Sequence, residues 1–508
     1  MRTRKSLKNI LVTFGLQGLS VLVSFFARQY FITRLGMSYL GLNGIFDNVL
    51  SMLSLAELGF STAFMFALFK PIADGDEARI RALMRYFRKV YMIIGAVILA
   101  AGLAVVPLLH LFITTDIPLD NVLLYYVLYL AAVSVTYLFS YKKTLLIAYQ
   151  DKYVSSIITY TVFCLLSGAQ VLLLRLTGSY TWFLAAMIVS NLAEGLVTNA
   201  VSNRRYGYLK EKSAGLVPAE DKSFIARNVR ALFFHRIGGV VISGTDNIVI
   251  SAFIGIVQVG LYSNYLLALN AINIVLNQVF AGLTASIGNL SVEDNKKRYY
   301  EVYRAGLYVN ALLFIPLAAV LWFVADDFVL WLGSPTILDR LSLACVLVIF
   351  VINGMRRITA SYREAQALYW YDRYKPIAES IVNLGVSIWL AQVIGIAGVF
   401  IGTLVSLLAT SFWVEPYVLF KYGFGRRLRE YFWQYLLYCL AGAVSFAAVW
   451  GVHALVHFGV SLAAFIADSA LYALVAVTVF LLLTCRTAEF REIKTIIRGV
   501  FGGGKNAR

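Results

Sequence analysis

The residues of this chain with the greatest chemical potential are arginines set in apolar sequence. Arg28, Arg236, Arg356 and Arg357 each lie inside a long hydrophobic run, where a charge facing lipid costs about 2.5 to 3.5 kcal/mol on insertion scales. Such side chains are expected to face the interior of a helix bundle or a wet cavity. Arg356 and Arg363 are seven residues apart and share a helical face, while Arg357 and Glu364 share the adjacent one. A cavity lined by arginine and lysine suits an anion, and the planar guanidinium suits phosphate in particular. The competing reading is structural: the same cations anchor loops or pair with Glu364, Glu379 and Glu415.

Three acidic residues are candidates for ion coupling. Asp47 falls about as far after the turn near Gly36 as Arg28 falls before it, so antiparallel neighbours would bring the two to matched depth, and an Arg28–Asp47 pair is one expectation. Glu57 lies near the middle of the same hydrophobic run, where it either partners a buried cation or carries a proton. Asp246 shares a helical face with His235, but their spacing corresponds to roughly 16 Å along a helix, too far for a direct pair.

The elements that position these residues follow from composition. The 508 residues are 60% hydrophobic and only 14% charged, with mean hydropathy +0.76. A soluble domain carries roughly 45 to 50% apolar residues, so a water-soluble fold is excluded. Apolar segments long enough to span a bilayer occur at 9–35, 38–69, 90–113, 119–149, 153–176, 179–201, 224–254, 258–290, 302–325, 340–370, 374–393, 395–420, 431–456 and 460–485, which predicts fourteen helices. The N-terminal run shows no small-residue cleavage site and reads as a first span.

Alternate connections carry the positive charge. The N-terminus, 70–89, 142–152, 204–230, 296–304, 363–375, 421–429 and the tail from Arg486 hold 37 of the 44 lysines and arginines. Lysine and arginine collect on the cytoplasmic side of membrane proteins, so the expected topology has both ends in the cytoplasm. The net charge of +17 is thereby explained by topology, with no single basic patch of the kind nucleic acid requires. Arg34, Arg175 and Arg340 sit at the other ends of spans and are expected to snorkel to the outer interface.

An internal repeat organises the spans. Residues 140–153 (SYKKTLLIAYQDKY) match 361–374 (SYREAQALYWYDRY) at an offset of 221, and Leu35-Gly36 with Gly41-Leu42 match Ile254-Gly255 with Gly260-Leu261 at 219. That offset corresponds to six spans, an even number, so the halves are expected to be parallel repeats with a substrate path between them. By this correspondence Lys142 on span 4 takes the place that Arg363 holds on span 10, and cations project toward the expected path from both halves. The resulting division is a six-helix bundle over 1–203, a basic cytoplasmic linker at 204–230, a second six-helix bundle over 231–425, two further spans at 426–485, and a basic tail at 486–508.

Several chemistries have no support. The segment 502–506 lacks the glycine spacing and the Ser/Thr of a phosphate-binding loop. The four cysteines fall in separate apolar segments, and His110, His235, His453 and His457 show no metal-ligand spacing with cysteines or carboxylates, so no metal, bound cofactor or catalytic residue is expected. The short outer connections leave little room for an enzyme's active site.

The motifs at 39–44 (YLGLNG), 50–59 (LSMLSLAELG), 70–73 (KPIA), 259–265 (VGLYSNY) and 285–290 (ASIGNL) resemble the polysaccharide-transport (Wzx-type) branch of the multidrug/oligosaccharidyl-lipid/polysaccharide exporter (MOP) superfamily. The resemblance implies an all-α polytopic inner-membrane protein of two six-helix bundles that moves an undecaprenyl-diphosphate-linked oligosaccharide to the outer leaflet by alternating access, coupled to a proton or sodium gradient. Implied partners are the lipid-linked oligosaccharide, membrane lipids and the polymerase or glycosyltransferases of polysaccharide biosynthesis. Arg28, Arg236, Arg356, Arg357, Arg363 and Lys142 would hold the diphosphate. Two alternatives remain open: a lipid II flippase, which in this superfamily also has fourteen spans, and an ion-coupled multidrug antiporter.

Overall fold

The protein is described by a computed structural model. It covers residues 2–57, 59–211, 216–290, 296–366 and 368–501, with side chains described except at 2–8, 10–11, 55–56, 210, 231–244, 278–290, 296, 369 and 496–501. The described residues are helical and carry no strand. Eleven helical runs among them are long and apolar enough to cross a membrane. The expected first, second and seventh spans fall outside that set of eleven, although each is helical in the structure.

The chain divides into two compact units, Met1–Ser263 and Asn264–Arg508. The first contains α1 (Arg2–Leu35), α2 (Met37–Leu53), α3 (Phe60–Asp74), α4 (Glu77–Val105), α5 (Leu109–Phe112), α6 (Leu119–Thr136), α7 (Ser140–Ala148), α8 (Lys152–Thr177), α9 (Tyr180–Arg205), α10 (Ala219–Phe253) and the start of α11 (Ile256–Leu290). Helix α8 packs on α1 and α9, α6 on α9 and α4, and α10 on α2 and α3. The second unit contains the rest of α11, α12 (Lys296–Trp331), α13 (Arg340–Ala365), α14 (Lys375–Ile394), α15 (Ile396–Ala409), α16 (Ser411–Val418), α17 (Arg429–Leu455), α18 (Leu462–Thr484) and α19 (Ala488–Phe501). Helix α12 is its centre, packed on α13, α17, α18 and α19. Ion pairs of Arg298 with Glu492 and of Arg304 with Glu489 fasten α19, which forms part of the basic tail, to α12.

Four expected spans are broken helices rather than continuous ones, the expected third span at a 3-10 turn over Val106–Leu108 between α4 and α5. The second is interrupted by a 3-10 turn at Ser54–Glu57, after which Gly59 takes φ +93°. The fourth breaks between α6 and α7, and the twelfth breaks at Thr410 and ends in a π-turn at Leu419–Phe424. Apolar runs alone could not show these breaks, because a broken and a continuous helix carry the same hydropathy. In transporters such discontinuities sit where backbone lines a path or an ion site.

The repeat has a physical basis at the glycines. Gly36 at φ +87° and Gly255 at φ +125° are the matched turn residues between α1 and α2 and between α10 and α11, and L-residues with a side chain rarely adopt such angles. The matched pair Gly41 and Gly260 mark where α2 crosses α11. A Cβ on Gly41 would lie 2.0 Å from the carbonyl oxygen of Ile256, and one on Gly260 would lie 2.5 Å from that of Met37. Helix backbones approach this closely only where both residues lack a side chain.

The basic connections make orientation testable. In a protein stripped of its native cysteines, single cysteines placed within 70–89 or 204–230 are expected to resist an impermeant thiol reagent in intact cells, while those near Thr114 or Asp327 label. Labelling of both groups would overturn the expected topology.

Candidate functional site

In the first unit Arg28 ties α1 to α11, donating from Nη1 to the Ser263 carbonyl oxygen at 3.0 Å and to its hydroxyl at 3.1 Å. Asp47 on α2 is within electrostatic reach of Arg28 and accepts a hydrogen bond from Tyr129 of α6. One turn earlier, Asn43 accepts from the hydroxyl of the buried Tyr180. Glu57, in the broken second span, neighbours Tyr91 and Tyr137, and Asp246 neighbours Tyr262. Each of the three carboxylates considered for ion coupling therefore has a tyrosine beside it. These partners have no signature in the sequence, because tyrosine is so common in this chain, 31 in all, that no single one stands out.

Lys142 sits elsewhere in this unit. Its side chain is buried on α7, and Nζ donates to Asn203 Oδ1 of α9 at 2.6 Å. The side chain of Arg236 lies in 231–244, outside the described side chains, as does that of His235.

In the second unit the cations of α13 enter a buried ionic network. Arg356 grips Glu415 of α16 with both arms of its fork, Nε to Oε2 at 3.0 Å and Nη2 to Oε1 at 2.7 Å. Arg363 lies 3.1 Å from the same carboxylate and 2.9 Å from Asp372. Lys375, at the start of α14, also donates to Glu415 and to Ser411, whose hydroxyl donates to Glu379. Arg356, Arg363 and Lys375 are thus matched by Glu415, Asp372 and Glu379, and the charges balance. Glu364 is exposed at the helix end. Arg357, one residue along from Arg356, points another way and donates to Asn273 and Asn277 of α11, both at 2.6 Å. Asn353, which also accepts from Arg356, completes the polar face of α13.

The repeated Asp-basic-Tyr motif is a structural joint in both units. Asp151 is 3% exposed, pairs with Arg205 at 2.9 Å and accepts from Tyr206 at 3.0 Å. Asp372, its counterpart, is 7% exposed and pairs with Arg363. A buried carboxylate requires such a partner, and here it holds the turn between two spans. Arg340 pairs with Asp326 at 3.0 Å and stacks over Trp322.

One grouping had no signature in sequence spacing. His457 Nδ1 lies 3.2 Å from Asp468 and 3.9 Å from Asp327, and the ligand atoms of the three residues lie within 4.8 Å of one another. Residues far apart in the chain reach this point from α12, α18 and the connection between α17 and α18.

No family model matches the chain, and no curated protein matches it. Solved structures do. A lipid II flippase, MurJ, in an inward closed conformation has TM-score 0.67 at 12% identity, over 96% of this chain and 100% of its own. An inward-facing multidrug resistance transporter of the MATE family, described as belonging to the MOP superfamily, has TM-score 0.62 at 15% identity, over 81% of this chain and 97% of its own. The Vibrio cholerae MATE transporter VcmN in its bent form has TM-score 0.50 at 15% identity, over 82% of this chain and 97% of its own. The chain therefore has the all-helical, multi-pass membrane fold of these transporters.

Proposed function

We propose that this protein is a flippase of a bacterial inner membrane that carries an undecaprenyl-diphosphate-linked oligosaccharide, the repeat unit of a polysaccharide, to the outer leaflet by alternating access. The observation that carries a lipid-linked substrate over a small cationic drug is the extent of the fold. The flippase covers 96% of this chain and the MATE transporter 81%, a shortfall about as long as the segment from α17 onward. In this chain α17 and α18 are integral, packed along α12. The motifs at 39–44, 50–59 and 259–265 support the polysaccharide branch over lipid II.

The diphosphate contacts we assign first to Arg28 and Arg357, whose guanidiniums are fixed by Ser263 and by the Asn273–Asn277 pair. Arg236 belongs with them by position on span 7. Arg356 and Arg363 are already engaged by carboxylates, so we assign them to holding the second unit together. Fixed guanidiniums lower the cost of bringing a diphosphate out of water, several kcal/mol for an uncompensated ion. A proton or sodium gradient is proposed to drive the cycle through Asp47, Glu57 or Asp246.

Proteoliposomes test this directly. A short-chain prenyl-diphosphate oligosaccharide is expected to cross the bilayer faster with the protein than without it, and faster with an imposed proton or sodium gradient. Arg357→Gln is expected to slow that transfer about tenfold, the effect of losing roughly 1.4 kcal/mol of charge-assisted hydrogen bonding. Transport of lipid II alone would move the assignment to the lipid II branch, and transport of a cationic drug alone would make the protein an antiporter.

A further inference from the structure

The first unit contains a second cationic site, in which Lys142, one of the residues expected to hold the diphosphate, sits apart from Arg28. A cavity of about 480 Å³ opens among α4, α7 and α9, lined by Arg81, Arg85, Arg88, Lys142, Asn199 and Asn203. The three arginines are spaced four and three residues apart on α4, so they form one face of that helix. Glu211, at the rim, pairs with Arg81 at 2.8 Å and is the acidic residue of the lining. Among the described lining residues, four cationic side chains accompany one carboxylate.

Lys142 makes the imbalance acute. It is 5% exposed, its ammonium donates to Asn203, and among the described residues no carboxylate lies within ion-pair distance of it. Asn203 in turn donates to Asn199, so the floor is a chain of amides that orients the ammonium and supplies no countercharge. A buried ammonium without a counterion is costly. An anion in the cavity would supply one, with the arginine forks of α4 in reach of its oxygens.

We propose that this cavity binds a phosphate group, either that of an anionic lipid headgroup or that of a soluble phosphate. It lies on the side of the bundle that carries the positive connections 70–89 and 204–230. Basic pockets between spanning helices on that side recognise lipid headgroups through the same phosphate chemistry.

The test uses the full-length protein and the variant Arg85→Gln/Arg88→Gln, whose two positions are exposed, so the fold is not at risk. In detergent, titration with inorganic pyrophosphate followed by calorimetry reads the soluble source. In nanodiscs of phosphatidylglycerol and phosphatidylcholine, lipids retained on the protein by native mass spectrometry read the headgroup source. Binding in one arm or both, weakened about tenfold or more in the variant, is the expected result, and the arm that responds names the source. Lys142→Met is expected to weaken the same binding. The proposal is overturned if neither arm shows binding, or if binding is the same in the double variant as in the parent protein.

Discussion

Replacing Glu415 by glutamine is expected to remove most of the folded protein from the membrane. This carboxylate, 3% exposed, is held by Arg356 at 2.7 and 3.0 Å, by Arg363 at 3.1 Å and by Lys375. Without its charge, three cations remain with Asp372 and Glu379, and Arg356 loses its only bidentate carboxylate contact among the described residues. Breaking a buried pair by removing one partner costs about 3 to 5 kcal/mol, a large share of the roughly 5 to 15 kcal/mol that separates folded from unfolded protein. Abundance in membranes and the thermal midpoint of the purified protein read the loss. Adding Arg356→Met to Glu415→Gln is expected to restore part of both, because the uncompensated guanidinium goes with it. Arg363→Ala follows the same logic and is expected to be relieved by Asp372→Asn, the partner at 2.9 Å. If Glu415→Gln instead leaves abundance and midpoint unchanged while abolishing transport, the network serves the transport cycle and the structural assignment fails.

The crossing of α2 and α11 gives the second large effect. Gly41→Ala places a methyl group 2.0 Å from the carbonyl oxygen of Ile256, and Gly260→Ala places one 2.5 Å from that of Met37. Both obstacles are backbone, so relief requires the helices to separate. Overpacking of this kind costs about 1 to 3 kcal/mol or more, and a membrane interface built on close backbone contact has little else to replace what is lost. Gly168→Ala is the internal control. It lies on the exposed side of α8 with nothing within 4 Å of a new Cβ, and alanine is the better helix former by about 0.8 to 1.0 kcal/mol. The expected ranking in thermal midpoint is Gly168→Ala at or above the parent, with Gly41→Ala and Gly260→Ala well below it. A Gly41→Ala protein as stable as the parent would show that the crossing is looser than described.

The two results bear on the proposed function in different ways. Losing the Glu415 network would loosen the second unit and leave Arg28 and its Ser263 contacts untouched, whereas separating α2 from α11 would disturb Arg28, Asp47 and Tyr262 together. Transport measured on the fraction that remains folded would therefore separate residues that hold the bundle from those that hold substrate.

That this is a helical membrane protein with an internal repeat is legible in the amino-acid order, because the underlying physics is local. Hydropathy adds along the chain, and the expected sidedness rests on the same local counting of lysine and arginine in each connection. The matched glycines, Gly36 with Gly255 and Gly41 with Gly260, are legible because a positive φ or a close helix approach requires that residue type wherever it occurs. Which charges meet depends instead on the packing of the helices. The apolar runs allow Glu415 as a partner of Arg356 and Arg363 but do not point to Asp372 or Lys375, because the network depends on how α13, α14 and α16 are rotated about their axes. The same holds for Lys142, whose register matches Arg363, yet whose ammonium meets an asparagine where Arg363 meets two carboxylates. The grouping of His457 with Asp327 and Asp468, and the breaks at Ser54–Glu57 and Thr410, were likewise beyond reach. A pattern of apolar residues specifies that a segment is helical and buried in lipid, but the partner of a buried charge is set by the rotation and crossing of several helices at once, which no single segment encodes.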